Sequence, residues 1–152
     1  MMSGENEKLI CKNKDAFYKF SIEEHYEAGI ELLGSEVKSL RDGRANLKDS
    51  YARFDNGELF LLGLHISPYP MATHFNHPPR RPRKLLMHKR ELKRLLGKVN
   101  QRGYTLVPTR LYFKRGRAKV EIGLAKGKKL YDRRQEIKRR DQEREMRRML
   151  KG

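Results

Sequence analysis

The side chains that stand out for chemistry are cations. Residues 80 to 129 hold eighteen Lys and Arg against Glu91 and Glu121 alone, so fifty residues carry +16 of a formal net charge of +17. Residues 1 to 79 come to −3, and residues 130 to 152 to +4 in a run of mixed sign. One strongly basic face beside a near-neutral remainder predicts a polyanion partner. Nucleic acid is the foremost, because each phosphate neutralised by Lys or Arg releases condensed counterions. The other constellations fall short of a reaction. His65, His74, His77 and His88 have no acidic or Cys neighbour at ligand spacing, so no metal site is expected. Glu23, Glu24, Glu27 and Glu31 suit magnesium in a nuclease, yet two of them alternate with candidate core positions and no general base accompanies them. Solvated strand ends are the expected reading. Cys11 has no activating partner in sequence and lies near the N-terminus. These residues predict a binding protein without catalytic centre or cofactor.

Short elements must position this charge. Met1 to Lys8 is polar and expected to be loose. Ala16, Tyr18, Phe20 and Ile22 then recur with the period of a strand, and after the acidic patch at 23 to 27 the alternation resumes at 29 to 32. Residues 35 to 43 read as a short helix stopped by Gly43. Apolar runs on either side of Asp55-Asn56-Gly57 predict a hairpin, since Asn-Gly supplies the positive φ values of a tight turn. Prolines at 68, 70, 78, 79 and 82 predict an exposed loop over residues 67 to 84, ending in the basic run Arg80-Arg81-Pro82-Arg83-Lys84. Leu92, Leu95, Leu96 and Val99 mark one face of a helix that shows its cations outward, with Gly103 beyond its end. A second hairpin turns at Lys114-Arg115-Gly116. Its second strand faces Ala118, Val120, Ile122 and Leu124 inward and Arg117, Lys119 and Glu121 outward.

Five or six short antiparallel strands and two helices predict a mainly β fold: a small, partly closed barrel of the OB type over residues 9 to 129, following a flexible stretch at 1 to 8. Residues 123 to 129 read as a cationic hinge into a basic C-terminal tail at 130 to 152. The tail is rich in helix formers but lacks an apolar stripe, so it is expected to become helical on docking. The single cysteine excludes an intramolecular disulfide and suits a reduced cytoplasm. No run of eighteen apolar residues and no signal-like h-region is present, so a soluble, cytoplasmic protein without a membrane partner is expected.

The order of Asn13-Lys14-Asp15-Ala16, the stretch 20 to 29, Gly34-Ser35-Glu36-Val37-Lys38-Ser39-Leu40-Arg41, the stretch 83 to 92 and the stretch 123 to 133, which opens Gly-Leu-Ala-Lys-Gly-Lys-Lys, resembles the SmpB family, the SsrA (tmRNA)-binding proteins. The resemblance spans nearly the whole chain. It implies an OB-type barrel that binds the tRNA-like domain of tmRNA and brings it to ribosomes stalled without a stop codon, while the tail enters the vacant mRNA channel. Elongation factor Tu and alanyl-tRNA synthetase are implied as partners acting through the RNA. Carried over by motif, Asn13, Glu27, Leu86, His88 and Lys119 are the expected tmRNA contacts, and the basic run adds Arg83 and Lys84. Lys126, Lys128, Lys129, Tyr131, Asp132 and Arg133 are the expected ribosome contacts, and Met149 and Leu150 match a tail pair tied to tagging. The chain departs from the family pattern at Tyr18, Ser35, His88 and Tyr131.

Two other classes fit the composition. A constitutive binder of ribosomal RNA would share the basic surface but sit on every ribosome, without need of tmRNA. An RNA-processing enzyme would need a metal or general base that the residues do not present.

Overall fold

Where apolar side chains alternate along two long strands, the chain folds back on itself and the alternation becomes the inner wall of a barrel. The computed structural model describes residues 7–71, 76–101, 103–127 and residue 144. Along them run β1 (Glu7–Lys12), α1 (Lys14–Lys19), β2 (Phe20–Ile30), α2 (Gly34–Arg41), β3 (Ala45–Asn46), β4 (Tyr51–Asp55), β5 (Glu58–Leu62), β6 (His65–Ile66), β7 (Arg83–Leu86), α3 (Lys89–Val99), β8 (Tyr104–Lys114) and β9 (Arg117–Gly127). The main sheet is antiparallel in the order β1-β8-β4-β5-β7-β2-β9, and β9 also pairs with β8, which closes six strands into a ring. β1 lies along the C-terminal half of β8, and β3 and β6 form a separate two-stranded ribbon. This is the expected mainly β, OB-type class.

The core is aliphatic. Leu59, Leu61, Leu85, Leu106, Val120 and Ile122 fill the ring, and Leu95 of α3 plugs it from one side. Both hairpins turn as the sequence predicts: Asn56 and Gly57 have φ of 51° and 79°, and Arg115 and Gly116 have 52° and 78°. Each pair fits a type I′ turn, whose twist matches that of the flanking strands.

Four expectations require correction. Residues 14 to 19 are helical. The apolar spacing read as a strand is also helical at Ala16 and Phe20, and α1 packs Ala16 on Val107 and Ala125 outside the barrel as a second small core. β2 then runs unbroken through the acidic patch, so Glu23, Glu24 and Glu27 are mid-strand residues rather than solvated strand ends. Glu7 and Lys8 belong to β1, where Glu7 pairs with Lys114. Finally, β9 extends to Gly127, and Gly123 and Ala125 are buried, so no hinge lies before residue 127. A Cβ on Gly123 would meet Ile22 Cγ2 at 2.8 Å. This glycine leaves room for the Ile22 and Thr109 side chains instead of supplying flexibility.

Candidate nucleic-acid interface

β7 decides what happens to the basic run. Strand period turns Arg83 and Leu85 inward and Lys84 and Leu86 outward. Arg83, expected on an exposed loop facing phosphate, is fully buried. Its Nε donates to Glu36 Oε2 at 2.6 Å, Nη1 to the Leu64 carbonyl at 2.7 Å and Nη2 to the Pro79 carbonyl at 3.1 Å. Arg81 donates to the same carboxylate at 2.5 Å, and the Leu33 N–H reaches it at 2.8 Å. Burial alone would raise the Glu36 pKa. Hydrogen bonds from Arg81 and Leu33 and the charge of Arg83 outweigh it and hold the carboxyl below the usual range. Two of the run's cations are therefore struts joining α2 to β7. His77 is likewise internal, with Nδ1 2.9 Å from Ser35 Oγ and Nε2 2.9 Å from the Ile66 carbonyl.

The second hairpin is also less bare than its sequence. Arg110 pairs with Glu7 at 3.0 Å and Glu121 at 3.1 Å, and its guanidinium lies 4.2 Å from the centre of the Tyr112 ring. Arg94 of α3 pairs with Glu24 at 2.7 Å, and Lys84 with Glu58 at 3.1 Å. The acidic patch of β2 thus neutralises cations brought to it by α3 and β8. Among the described residues, Lys89, Arg90, Lys93, Arg115, Arg117 and Lys119 carry no salt bridge. These six lie on the first turns of α3 and at or just beyond the tip of the β8–β9 hairpin, and other cations without a salt bridge, Arg80, Lys98 and Lys126 among them, lie elsewhere on the surface.

Between those two places lies an open cleft of about 480 Å³, lined by Glu27, Gly29, Leu86, Met87, His88, Glu91 and Lys119. Register assembles it: Gly29 of β2 stands opposite Leu86 of β7 on one side and Lys119 of β9 on the other. His88 is the N-cap residue of α3, where unpaired backbone N–H groups and the helix dipole favour an anion. Leu86 is 47% exposed and gives the cleft an apolar contact. Glu27 is the fixed carboxylate in this setting. Tyr112, itself buried, donates its hydroxyl proton to Glu27 Oε2, and the Lys114 ammonium lies 3.3 Å away. Burial pushes the Glu27 pKa up, but those two hydrogen bonds prevail and keep it ionised. Burial and the same hydrogen bond raise the Tyr112 pKa, so the phenol remains a donor.

Glu27, Leu86, His88 and Lys119, picked from separate stretches of sequence, thus line one cleft. Lys84 projects from the same face of β7 two residues before Leu86. Asn13 stands apart. It is buried, its Nδ2 donates to the Pro108 carbonyl at 2.9 Å, and it lines a different cavity beside Ala16 and Tyr51. Lys126 lies near the end of β9, its ammonium 4.7 Å from the centre of the Tyr104 ring. Lys128, Lys129, Tyr131, Asp132, Arg133, Met149 and Leu150, and with them the tail helix, lie outside the described residues, as does His74. Sequence reading missed Tyr112 and Gly29. Eighty-five residues separate Tyr112 from its carboxylate, and no local pattern links them.

Cys11 is half-buried in β1, and burial pushes its thiol pKa up to about 11, the reverse of an activated nucleophile. Among the described residues, no three His, Cys, Asp or Glu side chains come together as metal ligands, and no helix is long and apolar enough to cross a membrane.

Comparison with known proteins points one way. The family described as SmpB protein matches residues 10–152. The SsrA-binding protein of Geobacter sulfurreducens is 61% identical over 145 residues, covering 95% of each chain. That of Syntrophobacter fumaroxidans is 58% identical over 149 residues, covering 98% of this chain and 92% of the other. A chain in the solved structure described as "tmRNA-SmpB: a journey to the center of the bacterial ribosome" superposes with a TM-score of 0.66 at 55% identity, covering 78% of this chain and 83% of that one.

Proposed function

The chain belongs to the SmpB protein family, and from that premise we propose that it binds the tRNA-like domain of tmRNA in the cleft between β7, β2 and β9 and delivers that RNA to stalled ribosomes for trans-translation. The observation that carries the cleft assignment is the convergence of Glu27, Leu86, His88 and Lys119 on one surface flanked by unpaired cations. In this reading Lys119 and the hairpin tip neutralise phosphates. Glu27 accepts from a base amino group or ribose hydroxyl and penalises a misplaced phosphate. Leu86 packs against a sugar or base, and His88 offers a phosphate the N-terminus of α3. Lys84 exchanges its surface partner Glu58 for RNA. Arg83 and Asn13 act from inside the fold, as supports for β7 and α1.

Residues 7 to 129 form the unit that holds RNA, and residues 130 to 152 act on the ribosome, with Lys126, Lys128, Lys129, Tyr131, Asp132 and Arg133 at its decoding centre. Met149 and Leu150 contribute to tagging inside the mRNA channel. Elongation factor Tu and alanyl-tRNA synthetase are engaged through the RNA, and the protein performs no reaction of its own.

The test is binding of the full chain and of a truncation after Lys129 to the tRNA-like domain over a salt series, with peptide tagging assayed in parallel. Both proteins are expected to bind tightly, with tagging lost only in the truncation. Glu27→Ala is expected to weaken cognate binding while the protein stays folded at the assay temperature, with a modest fall in melting temperature because the buried Tyr112 hydroxyl loses its acceptor. Equal, weak binding of tmRNA and unrelated RNAs would leave only a general binder of ribosomal RNA.

A further inference from the structure

The cleft does not end at Lys119. Gly29 is the middle member of the row Leu86–Gly29–Lys119, and without a side chain there the floor forms a low saddle. A Cβ at this position would already touch Leu86 Cβ at 3.4 Å. Beyond the saddle lies a second bay of about 470 Å³ that shares Gly29, Leu86 and Lys119 with the first. A glycine inside a strand weakens the strand, and it commonly marks a place where something approaches the backbone closely.

The bay differs from the cleft in chemistry. Its lining is apolar and polar in about equal parts, the apolar half coming from Leu32 and Val37 on the α2 side and Phe113 and Ala118 on the hairpin side. The charges around it are Arg117 and Lys119, neither of which carries a salt bridge among the described residues. Phosphate alone would gain nothing from an apolar floor, and an aliphatic ligand would gain nothing from unpaired cations at the rim. A nucleobase meets both conditions, because it has flat apolar faces, a polar edge and an anionic backbone on either side.

Resting on the reading of the first cleft as the RNA site, we propose that this bay takes a single nucleobase, unstacked from the RNA bound next to it. The base crosses the Gly29 saddle and lies among Val37, Phe113 and Ala118, while Arg117 and Lys119 hold the phosphates that flank it. The protein then reads one splayed nucleotide in addition to the shape and charge of the helix beside it.

The experiment is an abasic scan. The full-length protein is titrated with tRNA-like domains of tmRNA that each lack one base. One position is expected to lose on the order of tenfold in affinity, as stacking contacts do elsewhere. Val37 lies on α2 outside the buried core, so Val37→Phe fills the bay with little strain on the fold, and Val37→Thr keeps the shape as a control. Val37→Phe is expected to weaken the intact RNA and to abolish the sensitivity to that one abasic position, with Val37→Thr unchanged. Arg117→Gln, at an exposed turn end, is expected to weaken the intact RNA more than the abasic one. A flat scan, or a Val37→Phe protein still sensitive at the same position, overturns the inference while Glu27→Ala, at a residue that lines only the first cleft, continues to report that cleft. If Glu27→Ala keeps full affinity, the cleft reading fails and the bay with it.

Discussion

Replacing Glu36 by Gln tests the claim that half of the basic run is scaffold. The Glu36 carboxylate is fully buried and accepts from Arg83 at 2.6 Å, Arg81 at 2.5 Å and the Leu33 N–H at 2.8 Å. The amide retains the shape but removes the negative charge and one acceptor oxygen, leaving the Arg83 guanidinium inside the fold with neutral acceptors alone, the Leu64 and Pro79 carbonyls and the single amide oxygen. Breaking a buried pair by removing one partner costs about 3–5 kcal/mol, and the remaining carbonyls argue for the lower end. For a chain of this size that is a fall in Tm of roughly 10 °C. Because the folded pKa of Glu36 lies below its unfolded value, the pair contributes its stability in full above the unfolded pKa, near 4.3, and loses it as pH falls through the folded value. The gap between wild type and Glu36→Gln should therefore be widest near neutral pH and narrow in acid. Thermal unfolding followed by circular dichroism at pH 7 and pH 3.5 measures both effects. RNA binding below the lower melting temperature completes the test, since a strut contributes no phosphate contact and the salt slope should be unchanged. A variant melting within about 2 °C of wild type at pH 7, or a salt slope reduced by about one, would refute the reasoning.

The remaining predictions concern the barrel and the cleft. Gly123→Ala should destabilise by about 1–3 kcal/mol through overpacking on Ile22, measured by urea unfolding. Adding Ile22→Ala should recover part of that loss, and strict additivity would show that the close approach is not the cause. Tyr112→Phe removes the hydroxyl that fixes Glu27. Its loss of cognate RNA affinity should largely disappear in a Glu27→Ala background, and equal losses in both backgrounds would disconnect the two residues. Lys119→Ala should lower the slope of log affinity against log salt by about one, whereas Lys84→Ala, already paired to Glu58, should change it less. Cys11 should react slowly with iodoacetamide at pH 8, because its thiol pKa of about 11 leaves little thiolate; labelling as fast as in the unfolded chain would contradict its burial in β1.

Local rules carried much of the fold. Asn56-Gly57 and Arg115-Gly116 placed both hairpin turns, and the spacing of Leu92, Leu95 and Val99 placed α3 and its buried face. Residues 14 to 19 misled because the spacing of Ala16 and Phe20 fits both periods, and only the patch formed by Val107 and Ala125 makes the helix the better burial. Residues 83 to 86 were hidden by the prolines around them, although Arg83 shares the strand face of Leu85 and its inward direction follows once β7 exists.

The sequence by itself determined the charge imbalance, the antiparallel hairpins, the β-rich class and, through ordered motifs, the family. Those properties follow from composition and from neighbours a few residues apart. Only the tertiary structure decided which cations are available. Arg81, Arg83 and Arg110 meet carboxylates distant in sequence and become ties within the fold, Arg94 pairs with Glu24 at the surface, and Lys119 and Arg117 remain unpaired beside Gly29. Charge adds along a chain, but its exposure and pairing depend on contacts between residues tens of positions apart, and those exist only once strand register has closed the barrel.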